Sequence, residues 1–378
     1  MDALITAAAL ALATGDPLSA LKRVALRDDA PAMALRGIAM AQLGDLTRAK
    51  DLLKQAAQAF GPRDQVARAR CVVAEAEIAL VSRDLTWPVQ SLDAARAALE
   101  RRGDRINAAH AACLVARRLL LIGRIDDAER VLARVEPAPL SPASRAGYEL
   151  AMAGVAIRRL RTRAARDALG RAAYAARATG SAALQAEVES VALLMTQPAA
   201  RAITRGHERT LLLEDVETLL VSDTLVIDAC RNVVRTATES VSLASRPVLF
   251  ALARALAEGW PGDVTRDELV KRAFRAKHAD ESHRARLRVE IGRLRAELGA
   301  VAEINATDRG FALSPKPASD VVVLAPAAEE QHASVLALLA DGEAWSSSAL
   351  AIALGVSPRS VQRALEQLSG AGKVQWFG

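Results

Sequence analysis

The sequence predicts a mainly α-helical fold, with helical hairpins in the N-terminal half followed by two small α+β domains. Residues 1–196 are rich in Ala, Leu and Arg, and Gly or Pro separates their helix-periodic segments. Short β-type runs interrupted by capped helices follow. A chain of 378 residues suits two or three domains, which we place at 1–196, 207–314 and 320–378.

Composition favours a globular protein with a polyanionic partner. Apolar residues make up 51% of the chain and charged residues 25%, which is enough to bury sizeable cores. The formal net charge of +6 suits an anionic partner, although a GC-rich genome raises the Arg and Ala content as well. Aromatic residues make up only 3%, which disfavours capture of single strands by base stacking.

No pattern typical of an enzyme, metal site or cofactor site is found. Cys71, Cys113 and Cys230 lie far apart, so we expect small core residues in a reducing compartment, the cytoplasm. The five histidines form no HxxxH or HxH pair, and no Gly-rich loop ends in Gly-Lys-Ser/Thr. The carboxylates form no recognisable acid–base pair.

The first residues predict a helix and not a secretion signal. Asp2 stands where a signal peptide would carry Lys or Arg, and Asp16-Pro17 is typical of the start of a second helix. No run of about 18 uncharged apolar residues occurs, so no membrane span is expected.

Two segments of the N-terminal half repeat each other. Leu43–Leu53 matches Ile122–Leu132 in its apolar and small positions. In both, Gly would form the tight turn, Ala would let two helices approach, and Leu would fill the gap between neighbours. We therefore expect helical hairpins to stack along this half of the chain.

These segments resemble tetratricopeptide repeats. Gly37, Ala49 and Ala56 fall at the small-residue positions of that family. Met40 and Leu53 stand where the family has aromatic residues, and the turn proline is missing. An irregular Ala-rich helical bundle remains the alternative.

A change of pattern near 197–210 predicts a domain boundary. The β-type runs that follow it are Leu211–Leu213, Thr218–Val221, Leu225–Ile227, Val233–Arg235 and Val241–Leu243. A second linker, Ser314–Asp320, precedes a last strand at Val321–Leu324.

Residues 246–313 predict three helices and a hairpin. Arg246-Pro247 starts a helix whose apolar face carries Leu249, Leu252, Ala253 and Leu256. Thr265–Glu268 is a capping box that opens a second helix. Asp280–Ser282 caps a third helix, with Leu287, Ile291, Leu294 and Leu298 directed inward. Val301–Asn305 and Asp308–Leu313 form the hairpin.

The third helix is basic on its remaining positions, and between Arg266 and Arg295 ten Lys or Arg stand against five Asp or Glu. A basic helix held outward by a small core can lie in the major groove of duplex DNA, while a hairpin reaches the flanking backbone. The candidate DNA-contacting residues are His283, Arg284, Arg286, Arg288, Arg293, Arg295 and, in the hairpin, Arg309.

The region 207–314 resembles the OmpR/PhoB-type winged helix effector domain. The resemblance is carried by the strand order and by Leu249-Phe250, Arg266–Val270, Ser282–Leu298 and Asp308–Leu313. It implies that Arg288, Arg293 and Arg295 lie on or next to the recognition helix, that Arg309-Gly310 lies in the wing, and that Arg275–Asp280 is the loop some relatives use to contact RNA polymerase. Residues 1–196 lack the alternating pattern of a receiver domain, so control by aspartyl phosphorylation is doubtful.

The last region, 328–378, predicts a second winged helix-turn-helix. Ser346–Ser348 caps one helix, Ser357-Pro358 starts the next, and Gly370–Trp376 starts a wing. The spacing from Leu350 to Leu365 resembles the helix-turn-helix of many bacterial regulators. The candidate contacts are Ser357, Arg359, Ser360, Gln362, Arg363 and Lys373. Whether this module binds DNA or protein stays open.

The sequence therefore predicts a sequence-specific transcription regulator that binds double-stranded DNA. Its helical repeat domain would bind a partner, either RNA polymerase or another protein or peptide, or would form a homodimer. The alternative is a protein–protein interaction scaffold whose winged helices dock proteins.

Overall fold

The computed structural model describes residues 2–138, 140–274, 280–316, 320–327, 332–340 and 344–376. Over these residues the chain is mainly helical, with a smaller mixed-sheet region in the C-terminal half, which confirms the coarse fold class. The chain divides into two compact units, Met1–Ala192 with Gln331–Gly378, and Leu193–Glu330.

The first part of the chain forms helices and, over its described residues up to 192, no strand. The helices are α1 (Ala3–Ala13), α2 (Pro17–Val24), α3 (Ala30–Gln42), α4 (Leu46–Ala59), α5 (Gln65–Val81), α6 (Val89–Arg101), α7 (Arg105–Leu121), α8 (Ile125–Leu132), α9 (Pro142–Arg158), α10 (Thr162–Thr179) and α11 (Ala182–Leu193). From α1 to α10, helices that follow each other in sequence pack together, so helical hairpins form along this part of the chain.

The two matched turns have the same geometry. Gly44 and Gly123 take left-handed φ angles of 88° and 74°. The N–H of Asp45 donates to the carbonyl of Met40 at 3.0 Å, and that of Arg124 donates to Leu119 at 2.9 Å. This is the Schellman bond, in which an L side chain is disfavoured at the left-handed residue.

Small residues set the distance between α3 and α4. A Cβ on Gly37 would lie 2.9 Å from Leu53 Cγ, and Ala49 and Ala56 are fully buried. The predicted role of these small residues is confirmed, whereas membership of the tetratricopeptide family stays a prediction.

The second unit combines strands and helices. Its elements are β1 (Ala200–Thr204), β2 (His207–Leu211), α12 (Leu213–Val221), β3 (Leu225–Asp228), β4 (Val233–Arg235), β5 (Ser240–Ser242), α13 (Pro247–Glu258), β6 (Asp263–Thr265), α14 (Arg266–Phe274), α15 (Glu281–Leu298), β7 (Ala302–Ala306), β8 (Gly310–Pro315) and β9 (Val321–Pro326). They form a six-stranded sheet of order β2-β1-β9-β3-β4-β5 and a three-stranded sheet of order β6-β8-β7. Only the β3–β9 pairing is parallel among the described strands.

One expectation for the start of this unit is wrong. The segment 197–210, where the sequence predicts a domain boundary, contains β1 and most of β2, which form an antiparallel hairpin with Thr204 paired to His207. Thr218–Val221 is not a strand but the end of α12. The Asp215 side chain accepts the Leu212 N–H at 2.9 Å at the start of α12, and Val216 and Leu220 are buried four residues apart.

The last strand belongs to the interior of the six-stranded sheet and not to the final domain. β9 pairs with β1 on one side and with β3 on the other. Five consecutive residues, Val321 to Ala325, are buried. A continuous apolar run of this kind is typical of a strand covered on both faces.

One hydrophobic core joins the two sheets and the helices of this unit. α13 packs against α14 and α15 and also against β3, β6, β8 and β9. Its predicted inward residues Leu249, Leu252, Ala253 and Leu256 are 0–3% exposed. The core therefore surrounds α13.

The inward side of α15 is confirmed. Leu287, Ile291, Leu294 and Leu298 are at most 1% exposed. Full burial of each such side chain contributes about 1.5–3 kcal/mol, so this face holds the helix in one rotational setting. The predicted hairpin is also confirmed, as β7 and β8.

The final helices form a small core of their own. They are α16 (Ala333–Leu339), α17 (Ser347–Leu354) and α18 (Pro358–Gly370). Val361, Leu365 and Leu368 point into this core as predicted. The expected wing at Gly370–Trp376 is wrong, because α18 continues to Gly370 and residues 371–376 form no strand. Instead, Gly372 takes a φ of 69° and the Lys373 N–H donates to Leu368 at 2.9 Å, which ends the helix.

Trp260 and Trp345 take part in hydrophobic packing. Trp260 is partly buried on the core of the second unit, with the Arg205 guanidinium 4.9 Å from its ring centroid. Trp345 is partly buried on the core of the final helices, and Arg83 lies 5.6 Å from its ring. Across the described residues, no helix combines the length and the apolarity required to cross a bilayer.

Gly310→Ala should destabilise the β6-β8-β7 sheet. A Cβ at this position would lie 1.8 Å from the Val264 carbonyl oxygen, and the obstacle is backbone. We expect the free energy of unfolding to fall by about 2 kcal/mol in urea titrations. The matched control is Gly292→Ala in α15, where a Cβ meets nothing within 4 Å and helix propensity predicts a gain of up to about 1 kcal/mol. Equal effects of both substitutions would contradict the close approach.

Candidate nucleic-acid interface

The start of α15 is fixed by a local cap. The Asp280 side chain accepts the His283 N–H at 2.8 Å, and this bond with the adjacent His283 ring lowers the pKa of the carboxyl. His283 Nδ1 lies 2.6 Å from the same carboxylate oxygen, and its ring is tilted against Phe274. His283 is half-buried and takes part in the cap, so it is the least accessible of the predicted contacts on this helix.

The arginines of α15 lie on two sides of its exposed surface. Arg284, Arg288 and Arg295 follow each other at four and seven residues, so they share one side. Arg286 and Arg293 are seven residues apart and share the other. All five are exposed, and the structure thus brings the predicted residues onto one accessible helix.

Arg288 is the least constrained residue on the first side. Arg284 lies 3.4 Å from the Asp267 carboxylate of α14. Arg288 has no ion pair, hydrogen bond or ring contact with any residue that the structure describes. Its guanidinium is therefore available to an external acceptor without loss of an internal bond.

On the second side, both arginines have neighbours on the protein. The Arg286 guanidinium stacks 4.6 Å from the ring centroid of Phe274. Arg293 Nη1 donates to Glu290 Oε1 at 3.0 Å, and its side chain is 64% exposed. Both guanidinium groups still reach solvent, and an exposed ion pair of this kind is worth less than about 1 kcal/mol and can exchange for a phosphate.

Arg295 holds the hairpin against α15. Its Nε donates to the Ile304 carbonyl of β7 at 2.8 Å, and its guanidinium lies 5.8 Å from the Phe311 ring. Arg266 approaches the same ring at 5.6 Å and donates to the carbonyls of Thr307 and Asp308 at 3.0 and 2.9 Å. The role of Arg266 was missed from the sequence, because backbone carbonyl acceptors leave no residue pattern.

Arg309 occupies the turn of this hairpin. Its side chain is 71% exposed and lies 3.6 Å from Asp263. The Thr307 hydroxyl accepts the Gly310 N–H at 2.9 Å and donates to Asp263 at 2.7 Å, so the turn is fixed by side chains. The hairpin therefore presents one cation at its tip. Residues 275–279 of the predicted polymerase-contacting loop, Arg275–Asp280, lie outside the described part of the chain.

The candidate contacts of the final module lie along α18. Ser357 caps this helix, because its hydroxyl accepts the Ser360 N–H at 3.2 Å, and the two hydroxyls are 2.9 Å apart. Arg359, Gln362 and Arg363 are exposed and have no side-chain partner among the described residues. Lys373 is exposed beyond the end of the helix.

The unit that contains α15 is not basic as a whole. Residues 193–330 hold 19 Lys and Arg against 20 Asp and Glu, and residues 331–378 hold three of each sign. The positive charge of the chain lies in residues 1–192, with 28 Lys and Arg against 21 Asp and Glu. Any attraction of α15 for an anion is therefore local, within about 8–10 Å at physiological salt.

Two of the three cysteines are core residues, and the third is exposed. Cys71 and Cys113 are buried, and burial raises the pKa of their thiols to about 11 and about 12. Cys230 is exposed, which the sequence did not predict, and partial desolvation together with the Asp228 carboxylate raises the pKa of its thiol to about 11. Where side chains are described, no three His, Cys, Asp or Glu groups converge to hold a metal ion.

Comparison of the chain with models of known protein families, with curated proteins and with solved structures finds no match.

Arg295→Ala and Arg288→Ala should have different effects on stability, although both arginines are exposed. Arg295→Ala removes a charge-assisted bond to Ile304 and a ring contact, so the free energy of unfolding should fall by about 1–2 kcal/mol. Arg288→Ala removes no internal contact and should change it by less than about 0.5 kcal/mol. Urea titrations of the full chain measure both. A similar loss for the two variants would show that Arg288 has an internal role.

Proposed function

We propose that the protein is a sequence-specific transcription regulator that binds double-stranded DNA through α15. The observation that carries the proposal is an 18-residue helix whose apolar side is fully buried and whose exposed sides carry five arginines, beside a hairpin with a cation at its tip. A helix of this diameter fits the major groove, and guanidinium groups match phosphates and guanine edges.

The order of elements supports a winged helix of the OmpR/PhoB type for residues 207–314. α13, β6, α14, α15 and the β7–β8 hairpin follow in sequence, and β6 joins the hairpin to form one small sheet. In this proposal α15 is the recognition helix, and the hairpin tip with Arg309 contacts the flanking phosphates.

α18 is proposed as a second DNA-contacting helix. Ser357 and Pro358 start it, α17 precedes it across a turn at Gly355, and Arg359, Gln362 and Arg363 are exposed along it. The described residues provide no wing here, so this module is proposed as a helix-turn-helix. Residues 1–192, as tetratricopeptide-like hairpins, would bind a protein partner, for which RNA polymerase is one candidate, or form a homodimer in the cytoplasm.

A protein-docking scaffold is the second candidate function, and two observations favour it. Residues 193–330 hold slightly more acidic than basic residues, and Val289 is 54% exposed on α15. An exposed apolar side chain on a unit without net positive charge suits a contact with another protein.

Retention on heparin and a mobility shift with random duplex at low salt distinguish the DNA-binding regulator from the scaffold, because a scaffold would show neither.

Arg288→Ala should weaken duplex binding without loss of stability. One guanidinium–phosphate or guanidinium–base contact is worth about tenfold in affinity, and its loss should lower the slope of log K against log salt by about one. The sequence of the duplex probe is taken from DNA fragments that co-purify with the protein. Binding to this duplex is then measured by fluorescence anisotropy at several salt concentrations.

The matched control is Arg209→Ala, an exposed arginine of β2, which should leave affinity and slope unchanged. The double variant Arg288→Ala/Arg293→Ala should lower both further. Unchanged affinity and slope in that double variant would refute α15 as the recognition helix.

Arg359→Ala/Arg363→Ala tests the second module with the same duplex. Because both guanidinium groups lack internal partners, their loss should not affect folding, and we expect at least about tenfold weaker binding. Affinity equal to that of the unmodified protein would assign α18 to a protein contact instead.

A further inference from the structure

The outward side of α10 carries exposed residues that the proposed DNA contacts do not use. These residues recur every three or four positions and therefore lie along one side of the helix. We call this set the α10 stripe, and it consists of Arg163, Arg166, Asp167, Gly170, Tyr174 and Arg177.

The orientation of the stripe is fixed by the opposite side of the helix. Ala165, Ala168, Leu169, Ala172 and Ala176 are at most 6% exposed, and α10 packs on α9. Arg171, on the border of the stripe, is bound to the buried carboxylate of Glu149 at 2.9 Å. The α10 stripe is consequently a rigid surface.

Among the described residues, Tyr174 is the most exposed aromatic side chain, at 76%. Its hydroxyl has no hydrogen bond to a described residue, and the guanidinium groups of Arg163 and Arg177 have no ion pair there. Tyr and Arg are the residue types that contribute most at protein interfaces when they become desolvated. The stripe thus has an aromatic anchor and two available cations.

Gly170 leaves a gap in the middle of the stripe. A Cβ at this position would meet nothing within 4 Å, so no internal packing requires glycine. Glycine is unfavourable inside a helix, where it exposes backbone to water. The missing side chain would let a partner helix approach the α10 backbone closely.

The charges of the stripe favour a protein over DNA. Arg163 and Arg177 are about 21 Å apart along the helix, and Asp167 lies between them. A uniformly negative polyanion would meet the Asp167 carboxylate, and a phosphate backbone offers no apolar surface to the Tyr174 ring. A helix with carboxylates near both ends and an apolar centre matches Arg163, Arg177 and the Tyr174 ring.

We propose that the α10 stripe binds an acidic amphipathic helix of a partner protein. Its carboxylates would pair with Arg163 and Arg177, and its apolar residues would cover Tyr174 over the gap at Gly170. The proposal deepens the proposed role of residues 1–192 in partner binding and does not involve α15.

The test measures binding of the full chain to two fluorescein-labelled peptides of about 20 residues. One peptide presents Leu on a single helical face with Glu at both ends, and the other has the same composition with the Leu positions shuffled. We expect the amphipathic peptide to bind at least about tenfold more tightly, because only it can cover the tyrosine ring while its Glu residues meet the arginines.

Three variants should each weaken binding of the amphipathic peptide by at least about tenfold. They are Arg163→Glu/Arg177→Glu, which reverses the charges, Tyr174→Ala, which removes the anchor, and Gly170→Leu, which fills the gap with a good helix former. The matched control is Arg105→Glu/Arg134→Glu, an exposed pair outside the stripe, with an expected change of less than about twofold. Circular dichroism verifies that each variant stays folded.

Equal binding of the two peptides, or undiminished binding by the three variants, would overturn the proposal. So would a loss of duplex affinity in Arg163→Glu/Arg177→Glu that exceeds the loss in the control pair, because the stripe would then be a DNA surface. Since α15 is unchanged in all these variants, failure here leaves the result for Arg288→Ala unaffected and the two proposals stay distinguishable.

Discussion

The burial of α13 is the constraint on which the second unit depends. This helix has strands of both sheets on its surface together with α14 and α15, and Leu249, Leu252 and Leu256 are at most 3% exposed. Rotation of α13 would expose these leucines at a cost of about 1.5–3 kcal/mol each. Because α15 packs its own leucines on α13, the same constraint decides which side of α15 faces water. The placement of the arginines is thus a consequence of core packing and not of their charge.

Chemically identical arginines on and around α15 have different roles because their neighbours differ. Arg295 and Arg266 donate to backbone carbonyls of the hairpin and border the Phe311 ring, so they keep the hairpin in place. Arg288, seven residues before Arg295 on the same side and about 10 Å away along the helix, has no such acceptor among the described residues. Carbonyl groups near a guanidinium convert it from a potential ligand contact into a structural one.

Patterns local in sequence predicted the helices well, whereas pairings between distant segments were missed. The four-residue spacing of Leu287 and Ile291 defined the inward side of α15, and side-chain oxygens before helices defined their starts. The position of β9 depends on β1, more than 100 residues away, and no local pattern specifies that partner. Arg83 and Leu160 close helical turns with left-handed φ angles of 52° and 54°, and because neither is glycine, these turns could not be predicted from the residue types. In the candidate site, helical spacing predicted which arginines are exposed. It did not predict the hydrogen-bond and ion-pair partners of Arg284, Arg293 and Arg295 within the protein.

The net positive charge of the chain does not lie in the unit that contains α15. The excess of seven basic residues lies in 1–192, whereas the unit that holds α15 has nearly equal numbers of both signs. Screening limits the field of each charge to about 8–10 Å, so only charges within that distance of α15 add much to the potential there. In a nearly neutral unit, the proposed DNA binding would therefore rely on short contacts such as those open to Arg288 and Arg309, which are sensitive to geometry. Geometry of this kind is what the shared core around α13 supplies, because it fixes the helix and the hairpin together.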